Sequence, residues 1–269
     1  IAVNIPPDQA DRVDNLSHAH LSAAQGTRTH FVGLNCRRKP FSDRRVREAM
    51  RYAVPPRPII ERFLLGRARA LPGILVPMAF GCDTSLPKPR QDAARARALL
   101  RQAGHPDGIE TTLDCEAADK RIAEAIAGSI AEAGVRATVR VWKKDNLLNQ
   151  LRRQQRDMFL TAWGNSSLDP SGILPVLFHT REEARGEGYA NYFGYSNPRV
   201  DRLLEEADRS MDTEARRRKY VEVQRILHED APTCFHFALN ELYGVSDSVE
   251  SFQARPDGML PMHDVGLQA

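Results

Sequence analysis

Apolar residues recur along this chain with two periods, and the switches between them predict its elements. Val46, Ala49, Met50 and Ala53 fall at i, i+3, i+4 and i+7, one face of a helix. Ser42 reads as its N-cap, with Asp43 at the positive end of the helix dipole. Pro55 and Pro56 stop it, because proline lacks an amide donor and clashes with the preceding turn. A second helix then buries Ile59, Ile60, Phe63 and Leu64 and ends near Gly66. Residues 67–91 carry Pro72, Pro77, Pro87 and Pro89 and read as a long surface connection. Asp92 opens a helix with Ala96, Leu99, Leu100 and Ala103 on one side, closed by Gly104 in the left-handed C' position.

Beyond Gly104 the two periods alternate. Residues 110–115 read as a strand, and 119–133 as a helix that turns Ile122, Ile126 and Ile130 inward. "RATVRVW" alternates polar and apolar positions, as a half-buried strand does. "NLLNQLRRQ" is helical and "MFLTAW" reads as a fully buried strand. Strand–helix–strand–helix–strand at these spacings implies right-handed crossovers and parallel strands. "VDRLLEEAD" and "TEARRRKYVEVQRILHED" are amphipathic helices, "TCFHFALNELYGV" is a further strand, and the end reads as coil.

Composition narrows the function classes. The 38 basic residues are nearly matched by 35 acidic ones, leaving +3, without the excess of a dedicated nucleic-acid binder. No window approaches the roughly 18 apolar residues of a membrane span. "IAVNIPPDQADR" lacks the marks of a signal peptide, so the protein is cytosolic or its natural start has been removed. Cysteines at 36, 82, 115 and 234 form no CxxC, which argues against structural zinc and leaves disulfides and free thiols both open.

Candidate chemistry is sparse. His18 and His20, without a nearby acid, make a poor metal site and read as solvated loop residues. "LHEDAP" lacks the second histidine of a zincin, so His228 reads as a helix-end residue near the negative dipole. "RGEGYANYFG" fits an irregular loop better than a phosphate cradle. No nucleophile–base pair is recognisable, so no catalytic residue, metal or cofactor is assigned. The informative stretch is "FLTAWGNSSLDPSGILPVLF". A buried strand ends at Trp163, a polar loop follows, and Asp169-Pro170 starts a helix. Ligands of open parallel sheets bind beyond the carboxyl ends of the strands. Trp163, Asn165, Ser166 and Ser167 are therefore candidate ligand contacts; the alternative is a core tryptophan with solvated turn residues.

"FVGLNCRRKPFSDRRVREAMRYAV" resembles a strand ending in Asn, then Pro-Phe, then Asp-x-x-Val-Arg-x-Ala. That pattern belongs to the extracellular solute-binding proteins of peptide, oligopeptide and nickel ABC transporters, family 5. "DAARARALLRQAGHPDG", "AWGNSSLDP" and "YSNPRVDRLLEEADRSMDTEARRRKYVEVQRILHEDAP" follow in the family's order, so the likeness covers about residues 1–262. Family members are roughly twice as long, so the resemblance implies a C-terminal half, an excised domain.

The implied fold is α/β: the C-terminal lobe of a two-lobed periplasmic binding protein clamp of type II, a mixed sheet with helices on both faces. Residues 1–30 would be the crossing segment, 31–240 the ligand-binding lobe, and 241–269 the return towards the other lobe. Hinge strands would run near 1–6 and 240–248. The implied function is capture of a small-molecule or peptide-like solute for an ABC permease in the inner membrane. A periplasmic monomer without catalysis or nucleic acid is expected. The alternative is the ligand-sensing domain of a transcriptional regulator on the same scaffold.

Two details bear on the ligand. The resemblance puts Ser166 where the family's peptide binders carry the aspartate that pairs with a ligand amine, and it makes Asp169 a structural cap. "DCEAADKR" also lacks the arginine with which some dipeptide binders hold a carboxylate. The resemblance further makes the arginine-rich stretch at 43–53 a packing helix. Arg44 is expected to pair with Glu48, and the other arginines to be solvated or to meet the neighbouring lobe.

Overall fold

The computed structural model describes residues 1–260 and 262–268. Nine α-helices, four short 3-10 helices and eight strands are assigned among the described residues. In chain order the α-helices and strands are α1 (Ala10–Asp14), β1 (Ala19–Leu34), α2 (Arg44–Ala53), α3 (Pro56–Phe63), β2 (Ala68–Leu71) and α4 (Ala93–Gln102). Next come β3 (Ile109–Glu116), α5 (Lys120–Ala131), β4 (Val135–Trp142), α6 (Lys144–Arg152), β5 (Met158–Gly164) and α7 (Leu174–Phe178). Then follow α8 (Pro198–Asp208), α9 (Thr213–Asp230), β6 (Thr233–Ser246), β7 (Val249–Glu250) and β8 (Gly266–Leu267). The last two strands pair with each other in the segment read as coil; Pro261 and Ala269, within the 241–269 expectation, lie outside the described residues.

One six-stranded sheet runs β2-β6-β1-β5-β3-β4. As expected from the crossover lengths, β3 pairs in parallel with both β4 and β5, while β1 is antiparallel to β5 and β6. The pleat sorts neighbouring residues onto opposite faces, since side chains alternate along a strand. Val32, Met158, Leu160 and Phe237 pack with α2, α3, α4 and α5; Phe31, Phe159 and Ala238 pack with α6, α7, α8 and α9. Helices therefore cover both faces of a mixed sheet.

Several local expectations are corrected. Asp43, not Ser42, caps α2, its carboxylate accepting from the Arg45 amide at 2.8 Å. Glu48 pairs with Arg95 at 3.3 Å, and Arg44 instead donates to the Glu229 carbonyl. Arg47 is neither solvated nor free; it is buried and donates to the carbonyls of Phe41, Ser42 and Asp230, tying α2 to the end of α9. Residues 67–91 are not a surface excursion. They contribute β2, paired with β6, and bury Leu71, Ile74, Leu75, Val76 and Leu86. "MFLTAW" is buried only over its first three residues. The N-cap at Asp92 and the left-handed Gly104 are found as read. All four cysteines are free thiols, Cys115 and Cys234 buried.

The ends of β1 and β6 leave the sheet together. Residues 19–25 pair with 240–246 alone, and the register breaks between Gln25 and Thr29 before both strands enter the sheet. Ala2 bridges to Gly244, and the Ile5 amide donates to the Leu242 carbonyl, so a third stretch lines this ribbon. The ribbon departs at the carboxyl end of β5, where Thr29 lies opposite Trp163 and Arg28 opposite Gly164.

Candidate functional site at the carboxyl end of the fifth strand

β5 outruns its parallel neighbour. The β3 pairing covers only Leu113–Met158 and Asp114–Phe159, whereas the β1 pairing continues to Gly164. From Leu160 onward, the edge of β5 that faces β3 has no ladder partner among the described residues. An unpaired strand edge is a row of amide donors and carbonyl acceptors, able to take an extended chain as an added strand.

The loop beyond this edge is fixed from below. The Asp169 carboxylate accepts from the Ser171 amide at 2.9 Å, capping a short 3-10 turn, and receives both Arg216 Nη atoms at 2.7 Å. These Arg216 hydrogen bonds, with the Ser171 amide, hold the carboxyl well below the usual carboxylate range against the opposing effect of burial. Arg216 lies over the rings of Tyr220 and Phe80, and the Phe80 amide donates to the Leu168 carbonyl. Asp169 is thus a structural cap, and α9 positions the loop.

The four residues singled out in the sequence are adjacent but differ in environment. Trp163 is half-buried, with Nε1 donating to the Gly172 carbonyl at 3.0 Å and its ring 6.0 Å from that of Tyr189. It packs against the core beneath α6 and α7 yet keeps an exposed side. Asn165 is buried; its Oδ1 accepts from Ser167 Oγ at 3.2 Å, while its Nδ2 has no partner. Ser167 Oγ also accepts from the Asp169 amide. Ser166 is exposed, and its hydroxyl makes no hydrogen bond among the described residues.

Two features escaped the sequence reading. Tyr189, in the loop read as irregular, is 57% exposed and stands beside Trp163, giving the site a second aromatic wall. Asp119, just past β3, is pushed up to about 6, chiefly by burial and then by the neighbouring Glu116. The clustering of tyrosines near 189–195 was the available signal for the first; nothing local marks the second. Elsewhere, His20 does meet an acid, Asp247 at 3.2 Å, correcting the expectation for that pair. Both groups are exposed, and no cluster of three metal-ligating side chains occurs among the described residues. His228 lies in the last turn of α9, as read, and burial, then Arg51, lower it to about 4.

Residues 1–185 match the model for bacterial extracellular solute-binding proteins, family 5 Middle. The glutathione-binding protein GsiB of Salmonella typhimurium is 26% identical over 275 residues, covering 99% of this chain and 53% of the relative. The chain spans about half the length of the curated relatives it matches. The periplasmic binding protein DppA of Helicobacter pylori, solved with the peptide STSA, superposes with a TM-score of 0.89 at 22% identity, covering 99% of this chain and 52% of that one. NikA of Staphylococcus aureus, solved with Ni(L-His)2, superposes at 0.83 and 16% identity, covering 99% and 57%. At these identities the superpositions establish the fold, that of periplasmic binding proteins.

Proposed function

The chain belongs to the bacterial extracellular solute-binding proteins of family 5, and we propose that it forms the C-terminal lobe of a two-lobed clamp for a small, peptide-like solute. Proteins of this family bind solutes and are not enzymes. In this reading residues 31–240 are the lobe, and 1–30 and 241–269 lead to a second lobe across the ribbon. The clamp delivers its solute to an ABC permease from the periplasm as a monomer. No helix among the described residues is long and apolar enough to cross a membrane.

The observation that carries this reading is the bare edge of β5 at the end where the ribbon leaves. An extended solute laid there gains backbone hydrogen bonds from 160–164, with Trp163 and Tyr189 as apolar walls. Asn165 Nδ2 and the hydroxyls of Ser166 and Ser167 supply polar contacts. Closure would bend the ribbon, with hinge strands near 1–6 and 240–248. The relatives bind glutathione and, by the solved complexes, a peptide or a nickel chelate. Ser166 in place of a carboxylate favours a solute without a free amine at that point.

A thermal-shift screen of the full-length protein, with both lobes, against peptides, glutathione, sugars and metal chelates identifies the solute class. Calorimetry on variants then tests the site. Trp163→Ala should remove more affinity than any loop serine, since an aromatic wall supplies both area and shape. Ser166→Asp should weaken a neutral or anionic solute by about 1–3 kcal/mol, the scale of an uncompensated charge in a partly enclosed site. Unchanged affinity in both variants would remove the loop from the site.

A further inference from the structure

A cavity lies at the other end of the sheet. It holds about 140 Å³ and opens where β6 begins, between α2, the end of α9 and the proline-rich segment before α4. β6 starts at Thr233 opposite Gly33, and Gly33 lies opposite Phe159, the second residue of β5, so most of the length of β5 separates the cavity from the Trp163 loop.

Its floor is shaped by a bulge. Register shifts between His30–Phe237 and Val32–Cys234, and within the shift Phe235 adopts φ 50, a left-handed conformation that costs a bulky residue strain. Phe235, Leu86, Ile74 and Tyr52 supply apolar walls. The charged side chains lining the cavity are Arg51, Lys88 and Arg90, and no aspartate or glutamate lines it among the described residues. In a chain with 35 acidic residues this one-sided lining is selective. One Arg51 Nη donates to the His228 carbonyl, which fixes the guanidinium at the wall, and its remaining N–H groups have no acceptor among the described residues. The His228 imidazole, also at the wall, makes no side-chain hydrogen bond among the described residues.

We propose that this cavity is a second binding site, for a small carboxylate with a compact apolar body, its anionic end on Arg51 and its ring or branched chain against Phe235 and Leu86. The volume matches the roughly 150 Å³ cavity known to accept benzene. Guanidinium and carboxylate make the strongest class of charge-assisted hydrogen bond. The site is separate from the solute site proposed above and stands whether or not that reading holds.

Benzoate and its neutral isostere benzamide are the probes, titrated by calorimetry and by ligand-observed NMR. Benzoate should bind about tenfold or more tightly than benzamide. Arg51→Gln should bring the two to near parity, Leu86→Trp should abolish both by filling the cavity, and Trp163→Ala should change neither. Circular dichroism and thermal melts confirm that each variant is folded; if Arg51→Gln is not, Arg51→Lys, which keeps the charge but loses the planar fork, should lower the benzoate-to-benzamide ratio, and an unchanged ratio overturns the inference. The inference is overturned if benzoate fails to bind the wild-type protein at millimolar concentration. It is equally overturned if benzamide binds as well as benzoate, or if Trp163→Ala removes the binding.

Discussion

Acidification should weaken this fold through His30, and the size of the loss follows from its surroundings. His30 is 8% exposed, its ring is stacked 4.8 Å from Phe237, and its Nδ1 has no partner. Burial, helped by the charge of Arg28, lowers it from 6.5 to about 4. The unfolded chain therefore takes up a proton near pH 6.5 that the folded protein refuses until about 4. Stability is full above 6.5 and is lost as pH falls through that window. Between pH 7 and 5 the loss is about 2 kcal/mol from this residue, at about 1.4 kcal/mol per unit. His236, lowered to about 3 by burial, and His228, lowered to about 4, act in the same direction. Two groups oppose them. Asp119, raised to about 6, is relieved of its buried charge below that pH. His179 is raised despite burial, by the Thr180 carbonyl and the carboxylates of Asp201 and Glu205, so its contribution grows in acid. The total slope is thus a balance, and a variant isolates one part of it. His30→Phe keeps a ring on Phe237 and removes the titrating group. Urea unfolding at pH 7 and 5 should show the variant losing about 2 kcal/mol less than the wild type over that interval. An unchanged difference between the two pH values would refute a neutral buried His30.

Asp169→Asn keeps an acceptor for the Ser171 amide but discharges the pair with Arg216. It should cost about 1–3 kcal/mol in denaturant unfolding and loosen the 165–171 loop, visible as faster amide exchange there. Gly108→Ala and Gly104→Ala form a matched pair, because both positions have positive φ, +87 and +88. An added Cβ at Gly108 would lie 2.1 Å from the Gly134 carbonyl oxygen, whereas nothing lies within 4 Å at Gly104. The second change should cost about 1 kcal/mol from backbone conformation alone, and the first clearly more. Equal melting temperatures for the two would contradict the close approach of β3 and β4 at that turn.

Local signals carried much of the architecture. Periods of 3.6 and 2 located α2 to α5 and β3 to β6, and the caps at Asp92 and Gly104 required only neighbouring residues. Apart from the cap of α2, which moved by one residue to Asp43, the failures share a cause, a partner distant in sequence. Four prolines made 67–91 look like a loop, yet β2 is ordered by β6 some 165 residues later. Glu48 reached Arg95 rather than its helical neighbour, and Arg47 found carbonyls at the end of α9. At the candidate site, the loop was legible because a buried strand running into a polar, proline-capped turn has a local signature. The bare edge of β5 was not, since it depends on where β3 stops. Tyr189 came from a loop whose return to Trp163 no periodicity encodes.

The strand order also fixes a sequence of events during synthesis. β6 lies between β2 and β1, and it is the last long strand to be made. Until residues 233–246 emerge, β1 lacks one neighbour over its whole length and β2 has none, leaving two strand edges open to misplaced pairing. Contacts across more than 200 residues, such as Ala19 with Ser246, close a very large loop and fold slowly for that reason. The nascent chain must therefore wait, with α2 to α5 able to settle early on β3 and β4, for its central seam to be inserted last.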